Sequence, residues 1–149
     1  MVMDAGMAID RLKSLAHLDI DAVGVYEEVL ERVDDEQVRR SFETFKDDHA
    51  RHADRLSRAI ADLGGTPPER KPDLAGRLAE WFGSLRAMIG SEGPVKAMHT
   101  AEQYHVKRYT EALGWDLPGD LPGIVESFYD DERRHLAFTE ERLKAAAPS

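Results

Sequence analysis

Apolar residues recur at alternating spacings of three and four along four stretches of the chain, which is the pattern of helices that bury one face. Gly and Pro clusters separate these stretches. The pattern predicts four long helices, at about residues 9–33, 37–63, 94–113 and 121–144. Short connections join the first helix to the second and the third to the fourth, so each pair is expected to form an antiparallel hairpin.

The segment 65–92 lies between the two predicted hairpins and contains the amphipathic stretch DLAGRLAEWFGSLRAMI. This stretch predicts a helical crossover from one hairpin to the other. Two hairpins joined by one long crossover are the arrangement of ferritin-like four-helix bundles. The sequence therefore predicts an all-α, ferritin-like four-helix bundle, as a single domain over residues 1–149.

Ionisable residues occupy positions in the apolar stripe of every predicted helix. They are Asp19, His49, His52, Glu102, His105, Glu132 and His135. Burial of a single unpaired charge costs several kcal/mol, whereas a domain is stable by only about 5 to 15 kcal/mol. The seven side chains must therefore compensate one another. All lie near the middles of their helices, which are level in antiparallel hairpins, and the i, i+3 pairs share a helix face.

The octapeptide FKDDHARH, residues 45–52, returns as FYDDERRH at 128–135, an offset of 83. The same offset places Asp19 on Glu102 and Tyr26 on Tyr109 without a gap. Two similar hairpins related by a pseudo-twofold axis would bring the two octapeptides face to face. The repeat therefore predicts one site, assembled from both hairpins, that holds two metal ions.

The stretch DERRH, 131–135, resembles the D-E-x-R-H motif of the ferritin-like diiron-carboxylate proteins. Glu102 precedes this motif with 28 residues between, and Asp19 precedes DHARH with the same number between. The stretch DIDAVGVY is similar to the rubrerythrin pattern, in which a carboxylate stands seven residues before a Tyr. The resemblance covers all four predicted helices.

This resemblance implies a role for each matching residue. Asp19 and Glu102 would be terminal carboxylates, and Glu132 a bridging carboxylate. His52 and His135 would be the histidines, one on each metal ion. Four further residues would hold the ligand histidines in place: Asp48 and Asp131, steadied by Arg51 and Arg134.

His49 departs from the family pattern, because it stands where the family has a second bridging glutamate. The resemblance then implies that one bridge is lost and one neutral donor is gained. His105 is either a further ligand or a buried core histidine. Iron, as two ions, is the first expectation, with Zn, Mn, Ni or Cu as alternatives, since imidazole suits several of these metals. A buried hydrogen-bond network without metal is the competing interpretation.

Tyr26 and Tyr109 lie on the apolar stripes, so core packing is the favoured interpretation of both. Donation to the carboxylates, or a redox role, are the alternatives.

The composition narrows the function further. Twenty basic against twenty-nine acidic residues give a net charge of −9, which argues against a nucleic acid or an anionic membrane as partner. The absence of cysteine excludes disulfides, thiolate zinc sites and iron–sulfur clusters. The sequence has neither a secretory signal nor a long apolar run, and a cytoplasmic location is expected.

The sequence as a whole predicts a diiron oxidoreductase, peroxidase-like in its chemistry, that reacts with peroxide or dioxygen. A reductant from elsewhere is required, because the chain has no cysteine for a rubredoxin-type relay. The alternatives are a non-catalytic, stress-associated protein that binds zinc or iron, and iron storage. A homodimer is the expected assembly.

Overall fold

The computed structural model describes residues 1–73, 76, 78, 79, 81 and 90–146. Within these residues the chain forms four α-helices and no strand. The helices are α1 (Ala5–Leu30), α2 (Glu36–Asp62), α3 (Gly93–Ala112) and α4 (Leu121–Ala146). Each lies within about four residues of its predicted range at either end. The predicted all-α four-helix bundle is confirmed.

Side-chain caps decide where the first two helices begin. The Asp4 carboxylate accepts a hydrogen bond from the backbone N–H of Met7 (2.8 Å), so α1 starts four residues before its predicted start near residue 9. Asp35 caps α2 in the same way through the N–H of Val38 (3.0 Å). After α2 the chain turns at Gly64, whose φ of 91° is the left-handed conformation that glycine adopts without strain.

The bundle consists of two hairpins, α1 with α2 and α3 with α4, which contact each other through α1 against α3 and α2 against α4. Each helix carries apolar residues on both sides of its ionisable residues. One apolar layer includes Leu15, Leu56, Tyr109 and Phe128. The other includes Val29, Phe42, Val95 and Met98. The ionisable residues are therefore enclosed in a middle layer between two apolar layers.

The predicted helix in the crossover falls largely outside the described residues. Residues 66–73 are described, are not helical and reach α1 at Pro72 and Asp73. The ring of Pro72 sits so close to Gly24 that a Cβ there would lie 2.5 Å from its Cγ. The backbone N–H of Asp73 donates to Asp21 Oδ1 (3.2 Å). Because Gly24 has no side chain, the crossover segment can pack closely against α1.

None of the helices in the described part of the chain is long and apolar enough to cross a membrane.

Candidate metal centre

The structure brings all seven predicted ionisable side chains together in the middle layer. Six of them have no exposed surface: Asp19, His49, His52, Glu102, Glu132 and His135. His105 is also buried. Every helix contributes at least one of them, as the mid-helix positions predicted. The prediction that these groups meet in space therefore agrees with the geometry.

One set of donors, which we call the Asp19 half-site, consists of Asp19, His49, His52 and Glu132, with one ligand atom from each lying within 4.8 Å of the others. Asp19 Oδ1 lies 2.7 Å from His49 Nδ1 and 3.1 Å from His52 Nδ1. Glu132 Oε1 lies 3.4 Å from His49 Nδ1 and 3.5 Å from His52 Nδ1. Two oxygens and two nitrogens thus converge on one point.

A second set, the Glu102 half-site, consists of His49, Glu102, Glu132 and His135 under the same distance limit. Glu102 Oε1 lies 3.2 Å from His49 Nε2 and 3.6 Å from His135 Nδ1. Glu132 Oε2 lies 3.4 Å from His135 Nδ1. The two half-sites share His49 and Glu132, which are also the two residues that the 83-residue offset relates to each other.

His52 and His135 are each held from behind by an aspartate of the opposite hairpin. His52 Nε2 donates to Asp131 Oδ2 (2.7 Å), and His135 Nε2 donates to Asp48 Oδ2 (2.8 Å). These bonds fix the rings so that both Nδ1 atoms face the centre. The sequence identified the aspartates but not this exchange between hairpins.

Two arginines contact these aspartates from the surface. Arg51 donates to Asp131 Oδ2 (2.8 Å) and to Asp48 Oδ1 (3.3 Å), and so connects the two hairpins. Arg134 donates to Asp131 Oδ1. Arg51 helps to keep both aspartates ionised, whereas Arg134 acts on Asp131 alone. Burial alone raises the pKa of Asp131, but hydrogen bonds from His52, Arg51 and Arg134 lower it below the ordinary value.

The two buried tyrosines each donate to a carboxylate of the cluster. Tyr26 Oη lies 2.5 Å from Glu102 Oε1, and Tyr109 Oη lies 2.5 Å from Asp19 Oδ2. Burial raises the pKa of each phenol, and the neighbouring carboxylates raise it further, so both phenols stay protonated. Core packing was the favoured interpretation; the structure adds the carboxylate contacts that were its alternative.

His105 lies at the edge of the cluster. Its Nδ1 is 3.3 Å from Glu102 Oε2 and 3.9 Å from Glu132 Oε2, but it belongs to neither half-site. On its other side it lines a cavity of about 490 Å³ between α1 and α3, with Leu18, Val25 and Tyr104.

Several buried polar atoms at the centre have no hydrogen-bond partner among the described residues. They are both carboxylate oxygens of Glu132, Glu102 Oε2, His105 Nδ1 and His135 Nδ1. An unsatisfied buried polar group costs about 1 to 3 kcal/mol, and more when it is charged. All of them except His105 Nδ1 belong to residues of the two half-sites, so cations bound there would satisfy them. The donors therefore fit a metal better than a closed hydrogen-bond network.

Without metal, the imidazoles of His49, His52 and His135 carry protons. Burial by itself lowers the pKa of His49 and His52, but the charges of Glu132 and Asp19, respectively, and hydrogen bonds to carboxylates raise both to about 10. Burial also lowers the pKa of His135, but the hydrogen bond to Asp48 and the neighbouring carboxylates of Glu102 and Glu132 together raise it to about 11. A metal ion must displace these protons to bind.

A family model described as "Domain of unknown function (DUF2383)" matches residues 7–114. No curated protein matches the chain. The matched range covers α1, α2 and α3 and ends before α4, the helix that carries Glu132 and His135. The matched region is well over half of the chain, and the chain belongs to the DUF2383 family, within the ferritin-like fold family.

Proposed function

We propose that this protein binds two metal ions between its hairpins, one in each half-site, and that it acts as an oxidoreductase on peroxide or dioxygen. The observation that supports the proposal is the pair of overlapping four-donor sets. Glu132 belongs to both sets, and neither of its carboxylate oxygens has a hydrogen-bond partner among the described residues. The buried His and carboxylate groups lie within metal-binding distance of one another.

Iron is the first metal we propose, because mixed carboxylate and imidazole donors suit it. A bound pair of ferrous ions would supply the two electrons that reduction of peroxide to water requires. His52 and His135 would each hold one ion, with Asp19 and Glu102 as the terminal carboxylates. Glu132 would face both ions.

The surrounding residues would orient the donors and manage protons. Asp131 and Asp48 hold the rings of His52 and His135 with Nδ1 towards the centre. Tyr26 keeps its proton on the hydroxyl that contacts Glu102 Oε1. The apolar layers above and below the centre exclude bulk water, which strengthens every charge interaction within it.

The cavity beside His105 offers a small oxidant a place next to the centre. His105 Nδ1 lies 3.3 Å from Glu102 Oε2 and has no hydrogen-bond partner among the described residues. We propose that His105 contacts the peroxide or dioxygen that enters this cavity and does not bind a metal ion.

The second candidate is a non-catalytic, stress-associated metal-binding protein with zinc or iron. The observation that favours it is His49, which gives the centre a larger share of imidazole than the diiron-carboxylate family has. Iron storage is a weaker alternative. The homodimer and the cytoplasmic location stay predictions.

The test begins with elemental analysis of the purified protein. Metal-free protein is then loaded with ferrous iron without oxygen, and peroxide is added while the absorbance is recorded. We expect two bound ions and new near-ultraviolet bands on oxidation. Iron or zinc that binds tightly and gives no optical change would favour the non-catalytic candidate.

The variant that tests the ligands is His52→Ala/His135→Ala. It removes one nitrogen from each half-site, so we expect both ions to be lost. The matched control is His99→Ala, a half-buried histidine of α3 that belongs to neither half-site. Unchanged metal content in the double variant would overturn the assignment of these histidines.

A further inference from the structure

We propose that His49 bridges the two metal ions, with Nδ1 bound to the ion of the Asp19 half-site and Nε2 bound to the ion of the Glu102 half-site. This inference rests on the proposed function, since it requires that two ions bind. It also replaces the expectation that substitution of the family's bridging glutamate by His49 removes a bridge.

The first argument is the direction of the two nitrogens. His49 Nδ1 faces Asp19 Oδ1 at 2.7 Å and Glu132 Oε1 at 3.4 Å, both in the Asp19 half-site. His49 Nε2 faces Glu102 Oε1 at 3.2 Å, in the Glu102 half-site. The ring therefore lies between the half-sites and presents one nitrogen to each.

The second argument is a comparison with the other two ligand histidines. In His52 and His135 one nitrogen faces the centre, while the other donates to an aspartate outside it. That is the arrangement of a histidine that binds one metal ion. His49 has no such partner outside the centre, because both its nitrogens face carboxylates of the half-sites.

The third argument is the position of His49 in the repeat. The offset of 83 relates His49 to Glu132, and these are the two residues shared by the half-sites. Glu132 points Oε1 towards His52 Nδ1 (3.5 Å) and Oε2 towards His135 Nδ1 (3.4 Å). Both residues therefore face the two half-sites, and an imidazole, like a carboxylate, has two donor atoms.

The ring cannot easily turn away from this position. It has no exposed surface, and it contacts the rings of His105 and His135 at centroid distances of 4.9 and 5.1 Å. The ring of Tyr26 lies at 5.7 Å on another side. Close packing of this kind holds a side chain in one rotamer.

The bridge has a chemical and a geometric consequence. Both N–H bonds of His49 break as the two metal–nitrogen bonds form, and the protons pass to solvent. With metal–nitrogen bonds of about 2.0 Å on either side of the ring, the ions would lie about 6 Å apart. Closely bridged pairs lie about 3.5 to 4 Å apart. The nature of the bridge therefore sets the separation of the ions.

The decisive experiment is a crystal structure of the full chain grown with zinc, in which anomalous scattering locates the ions. We expect two ions, one on each side of the His49 ring and each bonded to one ring nitrogen. Two ions with His49 on only one of them, or a single ion, would overturn the bridge but leave metal binding intact. A protein without zinc would overturn both proposals.

A measurement in solution uses copper(II). An imidazole bridge couples the two unpaired electrons, so we expect fewer than one detectable electron spin per bound copper at full loading. His49→Gln cannot bridge through two nitrogens and should restore one spin per bound copper. The matched control, His105→Gln, should keep the reduced signal. One spin per copper in the unaltered protein would overturn the bridge, even if His49→Gln fails to fold.

Discussion

The two half-sites are built from corresponding residues, but the two residues that they share, His49 and Glu132, differ chemically from each other. Each has a carboxylate, a tyrosine that donates to it, a histidine and an aspartate behind that histidine. In the Asp19 half-site these are Asp19, Tyr109, His52 and Asp131; in the Glu102 half-site they are Glu102, Tyr26, His135 and Asp48. The correspondence breaks at the shared pair, because the offset of 83 relates a histidine, His49, to a glutamate, Glu132, which it contacts.

Both half-sites depend on contacts between the two hairpins. Each histidine is held by the aspartate of the other hairpin, and each tyrosine donates to a carboxylate of the other hairpin. A change in one of these residues therefore disturbs a half-site formed across the interface. His49 differs chemically from Glu132, yet both present two donor atoms, one to each half-site.

The largest expected effect comes from breaking the contact by which an aspartate of one hairpin holds a histidine of the other. Asp131→Asn replaces the carboxylate behind His52 with a neutral amide, which accepts a weaker hydrogen bond, so it should weaken the binding of the ion in the Asp19 half-site about 10- to 100-fold. Zinc calorimetry in a His135→Ala background, where that ion is the one retained, gives the affinity directly.

The matched control is Asp48→Asn in the same background. Asp48 holds His135, which is already absent there, so the affinity should change little. Equal losses in the two variants would mean that the aspartates do not serve the half-sites separately.

A smaller effect is the pH dependence of stability, which arises from the protons bound by the histidines of the two half-sites. In metal-free protein the pKa values of His49 and His52 are about 10, and that of His135 is about 11, all above the ordinary value. The folded state thus binds more protons than the unfolded state above about pH 6.5, and its stability falls as the pH rises towards 10.

Urea unfolding with a chelator present measures this effect. Between pH 6.5 and 9.5 we expect a loss of more than about 1 kcal/mol. Burial raises the pKa of Asp19, but His52 and His49 lower it overall, so its contribution is lost only below about pH 4. Zinc affinity should change in the opposite direction, rising with pH. A flat stability profile across the alkaline range would contradict protonated imidazoles.

The smallest expected effect is at His105, which has no counterpart in the first hairpin, because the offset of 83 places Ala22 there. His105→Gln should keep both ions, with less than about a threefold change in zinc affinity. The rate of the reaction with peroxide should change several-fold, since His105 lines the cavity. Loss of an ion in this variant would make His105 a ligand.

The sequence was sufficient to predict the four-helix bundle and the seven ionisable residues that meet at its centre. Periodic apolar residues specify helices, and ionisable residues in apolar stripes must meet or the fold is lost. His52 and His135 could be singled out because the offset of 83 repeats their surroundings. The start of α1 at Ala5 was missed, although Asp4 followed by a helix-forming stretch is a recognisable cap signal.

Tertiary structure decided how these residues are arranged. The exchange of aspartates between hairpins, the partners of Tyr26 and Tyr109 and the place of His105 outside both half-sites depend on how the hairpins dock. The orientation of His49 also depends on this docking, because the sequence does not tell which of its two nitrogens faces which half-site. The physical reason is that spacing along a helix fixes the face on which a side chain lies, whereas its partners across the bundle depend on axial register and rotamer, which only packing determines.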